Sequence, residues 1–183
     1  TPLYSSAASD VYKRQSWDRA DRDAPVLLAE EGPNAFAKFT HDRAELTSGE
    51  VWELITTPEG GAIARRDGRD IVRADGSLRR DKQIPVIIEN RRYVMVAETS
   101  KNWIIDNADG QKVAQFTSDH NGVRRAILEF EGETSLNDID IVALAWVSRL
   151  VLEARKMINS TALIAFMVLL SVFIVAVWFI GPS

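Results

Sequence analysis

The sequence predicts a mainly β protein, a meandering antiparallel sheet or barrel, followed by two apolar helices of which the second can cross a bilayer. Three observations lead there. From Pro25 to about Gly132, short apolar or alternating runs recur, each closed by a turn signal, at the spacing of roughly 8–12 residues that marks antiparallel meanders. From Ile139 to Leu152 the chain then becomes apolar on nearly every side of a helix, with only three polar residues. Finally, the 20 residues 161–180 contain no charged side chain.

Composition sets the outer limits. The chain has 183 residues, room for one ordinary domain and appendages. Its net charge of −4 argues against a dedicated nucleic-acid binder, which is normally basic. The absence of cysteine excludes disulfides, thiol catalysis and cysteine-ligated zinc. Residues 1–15 resemble translated adapter read-through and are set aside as a non-native segment. Residues 16–24 are polar and aperiodic and read as a lead-in.

The strands expected from the pattern are Val26–Ala29, Ala35–Thr40, Val51–Thr56, Ala62–Arg66, Asp70–Arg73, Val86–Glu89, Tyr93–Ala97, Trp103–Asp106, Lys112–Thr117 and Arg124–Glu131. Between them stand Glu59-Gly60-Gly61, Asp67-Gly68, Asp75-Gly76, Asp109-Gly110 and Asn121-Gly122. Asp-Gly and Asn-Gly suit tight hairpins because such turns need φ > 0 at their central residues. No stretch before Thr134 offers three helical turns of apolar periodicity.

Ser135 or Asp138 is placed to cap a first helix, about 138–153, through a side-chain oxygen that accepts first-turn N–H groups. A helix apolar all round is buried all round, and this one is too short for a bilayer, so it belongs in an interior. The second helix, 161–180, rises about 30 Å at ~1.5 Å per residue, the thickness of the hydrocarbon core. Thirteen of its 20 residues are Leu, Ile, Val or Phe. They favour insertion by roughly 4–8 kcal/mol. Arg149, Arg155 and Lys156 precede the span and nothing basic follows it. The positive-inside rule therefore puts the preceding domain in the cytoplasm, on a single-pass, tail-anchored chain.

Two segments carry a family resemblance: Asp138-Ile139-Asp140-Ile141 leading into Val142-Ala143-Leu144-Ala145-Trp146-Val147, and upstream Trp103-Ile104-Ile105-Asp106-Asn107-Ala108-Asp109-Gly110-Gln111-Lys112-Val113-Ala114. In these, and in the order of its parts, the chain over about residues 25–157 resembles the tubby C-terminal-like superfamily, in its phospholipid scramblase and LURP-one-related branch. The resemblance implies an antiparallel β-barrel of about ten to twelve strands around a central hydrophobic helix. The chain lacks the cysteine-rich palmitoylation segment and the acidic calcium-binding run of scramblase-like members. Calcium-activated lipid scrambling is therefore not expected, and the added helix would attach the domain to a membrane without acylation.

Catalytic and metal signals are sparse. His41 and His120 each adjoin an aspartate, but neighbours along a strand point to opposite faces. No Gly-x-Ser-x-Gly elbow and no phosphate-binding glycine loop occurs. No catalytic residue, metal or cofactor is expected. Charge supplies the functional lead. Residues 65–92 hold nine basic residues against five acidic ones, while residues 16–60 hold four against ten. Arg65, Arg66, Arg69, Arg73, Arg79, Arg80 and Lys82 are the candidate headgroup-binding set, attractive to anionic lipid at about 1 kcal/mol per basic residue near the surface. The resemblance points the same way, since tubby-like domains bind phosphoinositides. The plain alternative is that these residues decorate solvated hairpins and pair with local acids. The expected role is non-catalytic lipid binding or handling at the cytoplasmic face of a membrane. The alternatives are a membrane-tethered scaffold whose sheet edges bind a protein partner, and a lipid-processing enzyme with an unrecognised site.

Overall fold

A computed structural model describes residues 14–18, 21, 23–29, 34–57, 59–99, 101–117, 127–130 and 136–180. Twelve strands form one closed barrel: β1 (Arg14–Asp18), β2 (Val26–Ala29), β3 (Ala35–Phe39), β4 (Arg43–Leu46), β5 (Val51–Thr57), β6 (Gly61–Arg66), β7 (Arg69–Ala74), β8 (Gln83–Ile88), β9 (Arg91–Ala97), β10 (Asn102–Asn107), β11 (Lys112–Thr117) and β12 (Ile127–Phe130). Each pairs antiparallel with its neighbours in sequence, and β1 closes the ring on β12 through Arg14↔Glu129 and Gln15↔Leu128. Closure leaves no open edge among the described strands, because a barrel pairs every strand on both sides.

Alternation decides which side chains face inward. Along β8, Ile84, Val86 and Ile88 are buried while Gln83, Pro85 and Ile87 are exposed. Many inward positions are small: Ala37, Ala44, Ala62, Ala64, Ala74 and Ala114 are all buried. Two strands escaped the sequence reading. In β1, Gln15 and Trp17 are buried on either side of half-buried Ser16, so the supposed lead-in is a strand that takes in Arg14 and Gln15 as well. β4 was missed because Arg43-Ala44-Glu45-Leu46 is short and buries only a small and a large residue in alternation.

The turns follow their chemistry. Asp67 and Gly68 both take positive φ, 53° and 75°, as the hairpin reading of Asp-Gly requires. The β8–β9 turn instead uses Glu89 at φ 51°, which no glycine announces. Gly61 has φ 96°, and a Cβ there would lie 2.0 Å from the Ala74 carbonyl oxygen. The adjoining strand thus requires glycine for space as well as for conformation.

One helix, α1 (Asp138–Ile180), follows the barrel and runs unbroken for 43 residues. Two separate helices, 138–153 and 161–180, were expected; residues 154–160 contain neither Pro nor Gly, so nothing interrupts the hydrogen-bond ladder between them. Asn137 caps the start: its Oδ1 accepts the Asp140 N–H at 2.9 Å, and Asp140 Oδ2 accepts the Asn137 N–H at 3.3 Å. Asp138, one of the two expected caps, is the first helical residue, and Ser135 lies outside the described residues. Residues 140–148 are all buried, as are Val151, Leu152 and Ala154, and their apolar members share one core cluster with the inward residues of the strands. Buried Ser148 donates to the Leu144 carbonyl at 2.6 Å.

The character reverses further along. Every side chain from Ile164 to Ala176 is exposed, and Trp178 is 80% exposed. Among the described residues, no helix is long and apolar enough to cross a membrane, and the span expected over 161–180 is not found among them.

Replacing Trp146 by Ala should lower stability by about 3–5 kcal/mol, the usual loss for an aromatic removed from a core, measurable by denaturant unfolding. The two glycines Gly49 and Gly61 share positive φ, but nothing lies within 4 Å of a Cβ at Gly49. Gly49→Ala should therefore cost only the ~1–3 kcal/mol of a strained backbone, while Gly61→Ala should cost clearly more.

Candidate functional site at the two rims of the barrel

An up-and-down meander places alternate turns at opposite ends. The β4–β5, β6–β7, β8–β9 and β10–β11 turns lie at the proximal rim, beside which α1 begins. The β3–β4, β5–β6, β7–β8 and β9–β10 connections lie at the distal rim.

The proximal rim holds a chain of charges. Asp140, whose side chain is fully buried, receives Arg91 Nη1 at 2.7 Å on its Oδ2. Arg91 also meets Glu89 at 3.4 Å, Glu89 meets Arg66 at 3.3 Å, and Arg66 meets Glu50 at 2.9 Å. Burial pushes the Asp140 carboxyl above the usual carboxylate range; Arg91, the Asn137 backbone N–H and the Tyr93 hydroxyl oppose that rise. Tyr93 is pushed up to about 12, first by burial and then by the negative charge of Asp140. This arrangement bolts the first turn of α1 to β8 and β9. The Asp140 side chain is buried throughout.

The distal rim is built differently. The Arg149 guanidinium lies 4.7 Å over the Trp17 ring, and Trp17 meets Phe39 edge-on at 5.1 Å. Arg149 Nε donates to Glu153 at 2.8 Å. Six residues on, Arg155 lies 4.6 Å over Trp103, which stacks on Phe116, and its Nη2 donates to the Asp81 carbonyl. Burial lowers the Arg155 pKa from its ordinary value, against the pull of Asp81. Between the helix and this rim lies a cavity of about 490 Å³. Phe39, Leu78, Trp146 and Leu150 form its apolar wall, and Asp23, Thr40, His41, Arg149 and Glu153 its polar margin.

The seven candidate basic residues do not converge. Arg65, Arg66 and Arg69 stand at the proximal rim, and Arg79, Arg80 and Lys82 in the β7–β8 connection at the distal rim. Arg73 lies on the outer wall of β7. Several are engaged by acids: Arg65 by Asp70 at 2.7 Å, Arg66 by Glu50, and Arg73 by Asp75 at 2.7 Å. The hydrogen bonds these guanidiniums donate to the carboxylates, ahead of every other influence, raise all three guanidinium pKa values. Glu59 alone faces both Arg79, at 3.1 Å, and Arg80, at 3.9 Å. His41 is exposed at the cavity margin, and His120 lies outside the described residues. No group of three or more His, Asp or Glu side chains placed to hold a metal ion occurs among the described residues.

Sequence reasoning passed over Arg91, Asp140, Arg149 and Glu153 as site residues. A signal existed for Asp140, an acid inside an otherwise apolar helix, where an unpaired charge is hardly tolerated. Comparison with known proteins finds no matching family model, no matching curated protein and no matching solved structure.

A pH dependence follows from Asp140. Its folded-state pKa lies above the unfolded value, so the native state binds this proton more tightly than the unfolded chain does. The contribution to stability is fully present below the ordinary Asp range and is lost as pH rises through the raised value. Denaturant unfolding over an acid-to-neutral pH series should therefore show wild type losing stability relative to Asp140→Asn as pH rises through that window. A constant difference would mean that Asp140 does not titrate there. Asp140→Ala, which strips a partner from Arg91 and from the Asn137 N–H, should be less stable than Asp140→Asn throughout.

Proposed function

We propose that this protein is a membrane-anchored, non-catalytic barrel of the tubby-like, scramblase-like kind that binds anionic lipid headgroups at the cytoplasmic face through its distal rim. The first half of α1 threads the barrel as its central helix, and the second half, 161–180, enters the bilayer.

The threading rests on the contacts at the two ends of the buried stretch. Asp140 pairs with the proximal rim and Arg155 with the distal rim. A helix is about 10–12 Å wide with its side chains. The alanines of the inner wall leave space for such a helix, which an eight-stranded barrel lacks because side chains alone fill it. The anchoring rests on apolar side chains exposed on all sides of the helix from Ile164 onward, within a run of 20 uncharged residues. Water is a poor solvent for such a surface and lipid a good one. Arg149, Arg155 and Lys156 before that run favour the cytoplasmic side.

One observation carries the headgroup reading: Arg155 donates to the backbone of Asp81, inside the basic connection Arg79–Lys82. That connection is therefore level with a point six residues before the span, about 9 Å from the hydrocarbon edge at ~1.5 Å per residue. The headgroup layer is itself about 5–8 Å thick and the Debye length about 8 Å, so these charges lie within reach of the surface. In and beside this connection stand Arg73, Arg79, Arg80, Lys82 and Arg155 with Glu59, Asp75 and Asp81, five cations to three carboxylates. The proximal arginines are level with Asp140, about 30 Å from the same edge, several Debye lengths away.

A chain ending at Lys156 keeps every helix side chain that is buried among the described residues and should be soluble and folded. Liposome flotation should show it binding anionic vesicles more tightly than zwitterionic ones, with binding falling as salt rises. Arg79→Glu with Arg80→Glu should weaken that binding by at least about tenfold, at about 1 kcal/mol per basic residue. Arg65→Glu with Arg69→Glu, at the far rim, should change it little. Equal binding to both vesicle types, or equal effects of the two pairs, would overturn the reading.

A further inference from the structure

We infer that the distal cavity is a binding site for one acyl chain of a membrane amphiphile whose head carries no net negative charge, such as a lysophospholipid with a zwitterionic head. The inference deepens the proposed function and rests on its membrane orientation.

The size and lining of the cavity come first. At about 490 Å³ it falls in the range of small-molecule sites, and Phe39, Leu78, Trp146 and Leu150 give it an apolar side on which a hydrocarbon chain makes dispersion contacts. Position comes second. The cavity lies beside helix residues 146–154, and Glu153 at its margin is eight residues from the start of the span, about 12 Å at ~1.5 Å per residue. A single-chain amphiphile, which leaves a leaflet more readily than a two-chain lipid does, can bridge that gap with its head toward the membrane surface.

The margin then selects the head. Arg149 has its charge balanced by Glu153 at 2.8 Å and its face covered by Trp17 at 4.7 Å. An anionic head would have to compete with Glu153 for the guanidinium and would also meet Asp23. A head carrying an ammonium gains the carboxylate of Asp23 instead, with the Thr40 hydroxyl and the His41 imidazole beside it. The site therefore prefers chemistry opposite to that of the Arg79–Lys82 connection, and the two surfaces act on different lipids.

Tryptophan fluorescence reads this directly, since Trp146 lines the cavity. The full chain carrying Trp178→Phe, which removes the exposed indole of the anchor, is held in an amphipathic polymer and titrated with dibrominated lysophosphatidylcholine. Saturable quenching is expected, reversed by unbrominated lysophosphatidylcholine. A brominated fatty-acid carboxylate should bind at least about tenfold more weakly, and Ala154→Phe, which fills the cavity, should weaken lysolipid binding by a similar factor. Asp23→Lys, at an exposed position, should shift the preference toward the fatty acid without disturbing the core. Quenching that rises linearly without saturation, or none at all, would overturn the site. Equal affinity for the two probes, or a preference unmoved by Asp23→Lys, would overturn the head assignment. None of these arms uses Arg79 or Arg80. Failure here with salt-dependent vesicle binding intact would remove the cavity site alone, and the converse would remove the headgroup reading alone.

Discussion

Burial of the first half of α1 on every side is the constraint from which the rest of the architecture follows. From Asp140 to Ser148 no side chain is exposed, and Val151, Leu152 and Ala154 extend the buried stretch by nearly two turns. Apolar surface all around a helix can be taken from water only by a wall all around it, and a single sheet face or one neighbouring helix would cover one stripe. The buried apolar residues of α1 share one core with the inward residues of the twelve-strand ring, where alanine stands at many positions. Large side chains inside, among them Trp52, Trp103, Phe39 and Phe116, occupy the room that remains.

That burial creates one electrostatic problem and shows how it is answered. Asp140 sits where an unpaired carboxylate would be expensive. Arg91, the Asn137 N–H and the Tyr93 hydroxyl all favour its charged form, yet burial outweighs them and its pKa stays raised. The pair is thus a poor source of net stability, as buried ion pairs commonly are. Its effect is on register. Sliding α1 along its axis by one turn would carry Asp140 about 5 Å from Arg91 and into apolar surroundings. The pair therefore fixes the register of the start of α1 against Arg91 on β9.

The two rims arrange their charges differently. At the proximal rim, arginines and carboxylates are close to balanced and interlocked, from Glu50 through Arg66, Glu89 and Arg91 to Asp140. At the distal rim, Arg149 and Arg155 lie flat on tryptophans, and Glu59 is shared between Arg79 and Arg80. Guanidinium faces spread on indoles keep their edges available for hydrogen bonds, which is how Arg155 reaches the Asp81 carbonyl. The cavity lies at this second rim.

Local chemistry was legible in the sequence by itself. Ten of the twelve strands follow from alternation and turn residues, and the Asp67-Gly68 hairpin from the φ > 0 that its geometry needs. The all-round burial of residues 141–147 follows from apolar composition, and the exposed apolar run beyond residue 161 from the absence of charge. What depends on distant partners was not legible. β1 gains its place by closing the ring on β12, 113 positions away at Gln15↔Leu128, and its five residues carry too little pattern to announce this. The seven basic residues looked like one patch because they are near one another in sequence. Antiparallel strands carry successive turns to opposite ends of a barrel, so Arg66 and Arg79 lie on different rims. The pairing of Arg91 with Asp140 and the cavity beside Trp146 likewise exist only once helix and wall meet. Periodicity and composition act over a few residues and the sequence alone determined what they govern; charge position, cavities and closure arise from contacts between segments far apart in the chain, and only the tertiary structure decided those.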